Sequence, residues 1–134
     1  MNIKNFRRDF EKIRIINHRV HETNLARVFQ VLEKAGYEPI LIKGWAAAQY
    51  YPKPFYRSIG DIDLVFRPET IDEKLDEIVY ENTQISFDRH SGMRLMDTAD
   101  LEDLFRNCIT EDCLGTPVRV LRVEDHLRIL CVHW

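Results

Sequence analysis

The chain has 134 residues, 45% of them hydrophobic and 31% charged, with a net charge of −3. That suits one soluble globular domain with a modest core, and the acidic balance argues against nucleic acid as a partner held by phosphate neutralisation. No apolar run approaches the ~20 residues of a membrane span, no apolar signal region opens the chain, and the three cysteines show no Cys-x-x-Cys spacing, which speaks against a disulfide framework or zinc knuckle and points to the cytoplasm.

Residues 3–20 carry Ile3, Phe6, Phe10, Ile13, Ile15 and Ile16 near helical spacing, which predicts an amphipathic helix. Its basic residues (Lys4, Arg7, Arg8, Lys12, Arg14, Arg19), diluted by Asp9 and Glu11, read as a solvated face. His18 and His21 have no further ligands nearby and read as exposed helix-end histidines. Thr23 or Asn24 is placed to cap a second helix bearing Leu25, Val28, Phe29 and Leu32, with a left-handed cap expected at Gly36. Tyr37 to Ile42 predicts a strand whose Ile40-Leu41-Ile42 run is apolar on both faces, as a central, covered strand would be. Lys43-Gly44 then reads as a tight turn into a helix at Trp45-Ala46-Ala47-Ala48, whose first N–H groups could meet a phosphate. Pro52 and Pro54 make the next stretch a loop, and it delivers Arg57 and Ser58.

Asp61 to Phe66 predicts a second strand, and residues 67–70 the start of a helix with Ile71, Leu75, Ile78 and Val79 on its apolar stripe. Gln84 to His90 predicts a third strand, with Ile85 and Phe87 on one face and Ser86, Asp88 and His90 on the other. A capped helix from Asp97, a loop over 108–115 and a strand over 117–121 follow. Last comes a helix from Glu124 to Trp134 with Leu127, Leu130 and Cys131 on its apolar side, and with His126 and His133 too far apart to share an ion unaided. That helix stops without a C-cap signal, which reads as a C-terminal truncation or a minimal catalytic half. Its apolar face would suit a homodimer.

The chemistry concentrates in Ile59-Gly60-Asp61-Ile62-Asp63-Leu64-Val65-Phe66. Residues i and i+2 share a face of a strand, so Asp61 and Asp63 point one way and Ile62 and Leu64 the other. Two like charges so close repel unless a cation sits between them, and hard oxygen ligands favour magnesium or manganese. In haloacid-dehalogenase-type phosphatases the Asp-x-Asp closes an apolar strand, whereas here it opens one. A glycosyltransferase with this motif would need a longer nucleotide-binding region upstream.

Leu41-Ile42-Lys43-Gly44, followed by Tyr51, Arg57 and Gly60-Asp61-Ile62-Asp63-Leu64, resembles the nucleotidyltransferase superfamily that includes DNA polymerase beta, in a bacterial subgroup with a Lys-Gly turn. The resemblance runs from about Leu25 to the end. It implies a single α/β (α+β) domain over 1–134, with N-terminal helices over 3–35 and a catalytic core over 37–134 built on a mixed sheet flanked by helices. It implies transfer of a nucleoside monophosphate from a nucleoside triphosphate to a hydroxyl acceptor, a small molecule or a protein. Asp61, Asp63 and Asp88 would be the catalytic metal ligands, Asp88 being the third acid from a neighbouring strand. Lys43, Gly44, Trp45, Arg57 and Ser58 would contact the nucleotide. Trp45 departs from the Gly-Ser form of this turn and leaves the phosphate to the backbone and Lys43. Arg57 reads equally as a charge partner of the acids, a phosphate ligand or a surface arginine, and His90 as a substrate contact, a support for Asp88 or a structural histidine. A binding module of the same fold, regulatory or of toxin–antitoxin type and weakly active or inactive, is the alternative.

Overall fold

The computed structural model describes residues 2–91 and 98–132. A single 32-residue helix, α1 (Ile3–Lys34), opens the chain, about 48 Å long at 1.5 Å per residue. Asn2 starts it by accepting the Lys4 N–H at 3.0 Å. Gly36, at φ +89°, ends it: the Gly36 N–H reaches the Glu33 carbonyl at 3.0 Å and the Tyr37 N–H that of Leu32 at 2.9 Å, the paired bonds of a Schellman cap. The two helices expected here are one. The Thr23 hydroxyl donates to the Arg19 carbonyl at 3.0 Å, so it serves the helix interior and caps nothing. No glycine or proline interrupts residues 3–34.

The other elements are β1 (Ile40–Ile42), α2 (Gly44–Ala48), a 3-10 turn (Pro54–Tyr56), β2 (Asp63–Val65), a second 3-10 turn (Pro68–Thr70), α3 (Leu75–Thr83), β3 (Asp88–His90), α4 (Thr98–Asn107), β4 (Ile109–Cys113), β5 (Thr116–Val120) and α5 (Val123–Val132). Strands are shorter than the sequence suggests because pairing ends where the chain leaves the sheet. Residues 108–115, expected as a loop, contain β4. It forms a hairpin with β5 through Leu114 and Gly115, both at positive φ (51° and 85°), a two-residue turn without the usual Asn-Gly signal. The helix expected from residue 67 starts at Leu75, because Asp72 takes the Lys74 N–H at 2.9 Å and the Tyr37 hydroxyl at 2.6 Å in a non-helical bend.

Among the described residues the five strands form one mixed sheet, ordered β3-β2-β1-β5-β4. β1 is antiparallel to β2 and parallel to β5, and β2 is parallel to β3. This is an α+β fold. β1 is central, as its apolar run demands, and its two faces feed two cores. Leu41 joins Leu64, Phe66, Val118 and Val120 beneath α1 and α3. Ile40 and Ile42 join Val65, Leu104 and Phe105 of α4, and Ile129 of α5.

α5 buries a different face from the one expected. Asp125, His126 and Ile129 turn inward while Leu127 and Cys131 are exposed, because His126 is bonded to the β1–α2 turn and Asp125 to Arg122 and Arg128. Asp97, His133 and Trp134 lie outside the described residues. No described helix is long and apolar enough to cross a membrane.

Candidate active site

β1 is buried on both faces, so the chain must reverse sharply as it leaves it. Lys43 does this at φ 58°, ψ −147°, a region that glycine alone occupies comfortably. Its N–H donates to Nε2 of the buried His126 at 3.0 Å, and its carbonyl accepts the Ala47 N–H at 2.9 Å. Gly44 follows at φ +33°; a Cβ there would lie 3.4 Å from the Asp61 carbonyl oxygen and 3.6 Å from the Ile59 side chain. The turn is therefore seated on the segment that carries the first aspartate. Trp45 is fully buried, with its indole N–H donating to Glu22 at 3.2 Å. Its side chain belongs to the core, and only its backbone faces the turn.

The register pairs two of the acids. Asp63 of β2 stands opposite Asp88 of β3, and Val65 opposite His90, so Asp63, Asp88 and His90 share a face. Ile85 and Phe87 pack on the core that holds Ile62 and Leu64. Asp88 does not pair with Arg89, which turns to Asp76 at 3.6 Å. His90 supports Asp63, its Nε2 lying 3.1 Å from Oδ1.

The donor set is of the hard-oxygen kind that suits magnesium or manganese, and two of its members are in register on adjacent strands. In this arrangement His90 engages Asp63, and among the described residues no three His, Cys, Asp or Glu side chains are grouped closely enough to hold one ion. Asp61 and Asp88 line a cavity of about 170 Å³ whose far wall is α1, through His21 and Asn24.

The Arg57 guanidinium, half-buried, has no hydrogen bond or ion pair among the described residues, and its Nε is shielded from solvent. Its charge is felt by His126: burial, then Arg57, holds that imidazole below its usual 6.5. Ser58 is exposed beside it.

Two histidines join the site that the sequence did not assign to it. His21, expected at an exposed helix end, is buried, because α1 continues through it; its Nε2 has no partner among the described residues and burial, then His18, lowers its pKa. His126 sits 83 residues from the turn that it holds. No sequence signal marked either histidine for the site, because the inward face of α5 carries the charged Asp125 beside His126 and the apolar Leu127 and Cys131 point outward.

β2 thus opens at Asp63, with Asp61 two residues before it, Asp88 of β3 beside Asp63, and the strained Lys43-Gly44 turn seated against the Asp61 carbonyl. A family model described as an uncharacterised nucleotidyltransferase matches residues 3–78, more than half of the chain, and the chain belongs to that family. The matched span includes α1, Lys43, Gly44, Arg57, Asp61 and Asp63, and stops short of Asp88. No curated protein and no solved structure matches significantly.

Proposed function

We propose that the chain transfers a nucleoside monophosphate from a nucleoside triphosphate to a hydroxyl acceptor, with a divalent cation that Asp61, Asp63 and Asp88 would hold once Asp63 leaves His90 and the three carboxylates draw together. The observation that carries this reading is the register of Asp63 against Asp88, directly after Asp61. Magnesium bound there would lower the pKa of the attacking hydroxyl and neutralise the pyrophosphate leaving group. The chain's own residues hold and screen charge. Arg57, a half-buried cation with no anion among the described residues, is set to take phosphate oxygens bidentately. Lys43 adds a second cation, and the turn that carries it is fixed by His126. His90 holds Asp63 until the cation takes it. Catalysis would rest on charge placed in advance.

The test is thermal unfolding with each nucleoside triphosphate, with and without magnesium. A ligand at a hundredfold excess over its Kd adds about 2.7 kcal/mol, on the order of 10 °C for a domain of this size. The expected result is a magnesium-dependent rise for at least one triphosphate, lost in Asp61→Asn and Asp63→Asn together with nucleotidyl transfer. Full transfer activity in either variant would overturn the assignment of the acids. The bond between Asp63 and His90 favours one other reading, a nucleotide-binding module with weak catalysis. It would give the thermal shift without turnover.

A further inference from the structure

α1 is longer than the core requires. Its second half is buried through Leu25, Val28, Phe29 and Leu32, while Ile3, Phe6, Phe10, Ile13 and Ile16 in the first half stand at least half exposed. One residue of that half is nevertheless fixed. Arg14 donates through Nη1 to the Tyr56 carbonyl at 2.8 Å, and its guanidinium lies 5.0 Å from the centre of the Phe10 ring. The contact holds α1 beside the loop that leads to the acids. Between them is a cleft of about 280 Å³, walled by Phe10, Arg14 and His18 on the helix and by Phe55, Arg57 and Ser58 on the loop.

This lining is unusual in its chemistry. Two aromatic side chains come from opposite walls. Among the described residues Arg57 has no anion and His18 Nδ1, shielded from solvent, has no hydrogen-bond partner, while Arg14 has used one of its five donors. Aromatic faces recruit a flat ring, and guanidinium groups recruit phosphate. A molecule that carries both is a nucleotide. Ser58 lies three residues before Asp61, at most about 10 Å of extended chain, so a phosphate held by Arg57 is within reach of the acids.

Resting on the reading above that the chain binds a nucleoside triphosphate, we propose that α1 forms half of the nucleotide site. The base lies between Phe10 and Phe55, and the phosphates lie against Arg14 and Arg57. The exposed Phe10 is then a binding surface, and α1 is long because it must reach past the loop.

Calorimetric titration of the intact chain with ATP, GTP, CTP, UTP and inorganic tripolyphosphate, all with magnesium, tests this in the native protein, Phe10→Ala and Arg14→Ala. Both side chains lie outside the core, and circular dichroism checks that each variant is folded. At least one triphosphate should bind roughly tenfold or more tightly than tripolyphosphate, the scale of one base–aromatic stack. Phe10→Ala should bring that nucleotide to the tripolyphosphate level and leave tripolyphosphate unchanged. Arg14→Ala should weaken both about tenfold. Native affinity for the nucleotide in both variants would overturn the cleft assignment while leaving nucleotidyl transfer standing. Failure of the native chain to bind any triphosphate would overturn both readings.

Discussion

His126 accepts the Lys43 N–H through Nε2, so its ring is neutral with its hydrogen on Nδ1, a buried atom without a partner. A proton added at Nε2 would face that N–H and break the bond that holds a strained turn. Burial first, and Arg57 second, lower the pKa of His126; burial and His18 lower that of His21. The unfolded chain, with both near 6.5, therefore takes up protons before the folded one does. Their contribution to stability is complete above about 6.5 and is lost as pH falls from there toward the folded values. Thermal unfolding measured from about pH 7 to 5 should show a falling midpoint. His126→Gln, which keeps an acceptor but does not titrate, should flatten the slope. An unchanged slope would assign the loss to other groups.

At the scale of elements, α1 is one helix with two environments. Residues 21–32 carry its buried face, and the stretch before them meets the body mainly through Arg14 and the pair Glu11–Lys53 at 3.7 Å. Local opening costs least where few apolar contacts close over the backbone. Amide hydrogen exchange should therefore be fast from Lys4 to about Lys12 and slow from Leu25 to Leu32. A uniform rate along the helix would mean that its first half is covered in solution. The three-residue strands β2 and β3 are the counterpart: Asp63 and Asp88 open them, Asp61 stands two residues before β2, and only a few bonds pair them, among them Asp88 N–H to the Ile62 carbonyl at 2.8 Å. The acids can thus adjust without disturbing the core behind them.

For the molecule as a whole, the sheet separates two cores, and Cys113 reports on the one under α1. It is fully buried and its S–H donates to the Glu22 carbonyl at 3.5 Å. Burial, then Glu22 and Asp112, pushes its thiol up to about 12. Cys131 is exposed. Since the thiolate is the reactive form, iodoacetamide at neutral pH should label Cys131 at the rate of an exposed thiol and Cys113 only at the rate of global opening. Equal rates at the two sites, read by mass spectrometry, would mean that the α1 core is not closed.

The sequence marked Asp61, Asp63 and Asp88 as candidate acids, and the register sets two of them, Asp63 and Asp88, side by side. Alternation along their strands put Ile62 and Leu64, and Ile85 and Phe87, on one core. β1's central place followed from its apolar run, and the end of α1 from Gly36. These are local rules, satisfied within a few residues. Tertiary structure decided what local rules cannot reach. It made α1 continuous, because packing of its second half outweighs a capping signal worth about 1 kcal/mol. It turned His126 toward Lys43 and Trp45 into the core, and it laid Arg14 along the loop before Asp61. Each of these joins residues more than 20 positions apart, and no spacing rule specifies such a contact, because it depends on how whole elements stack.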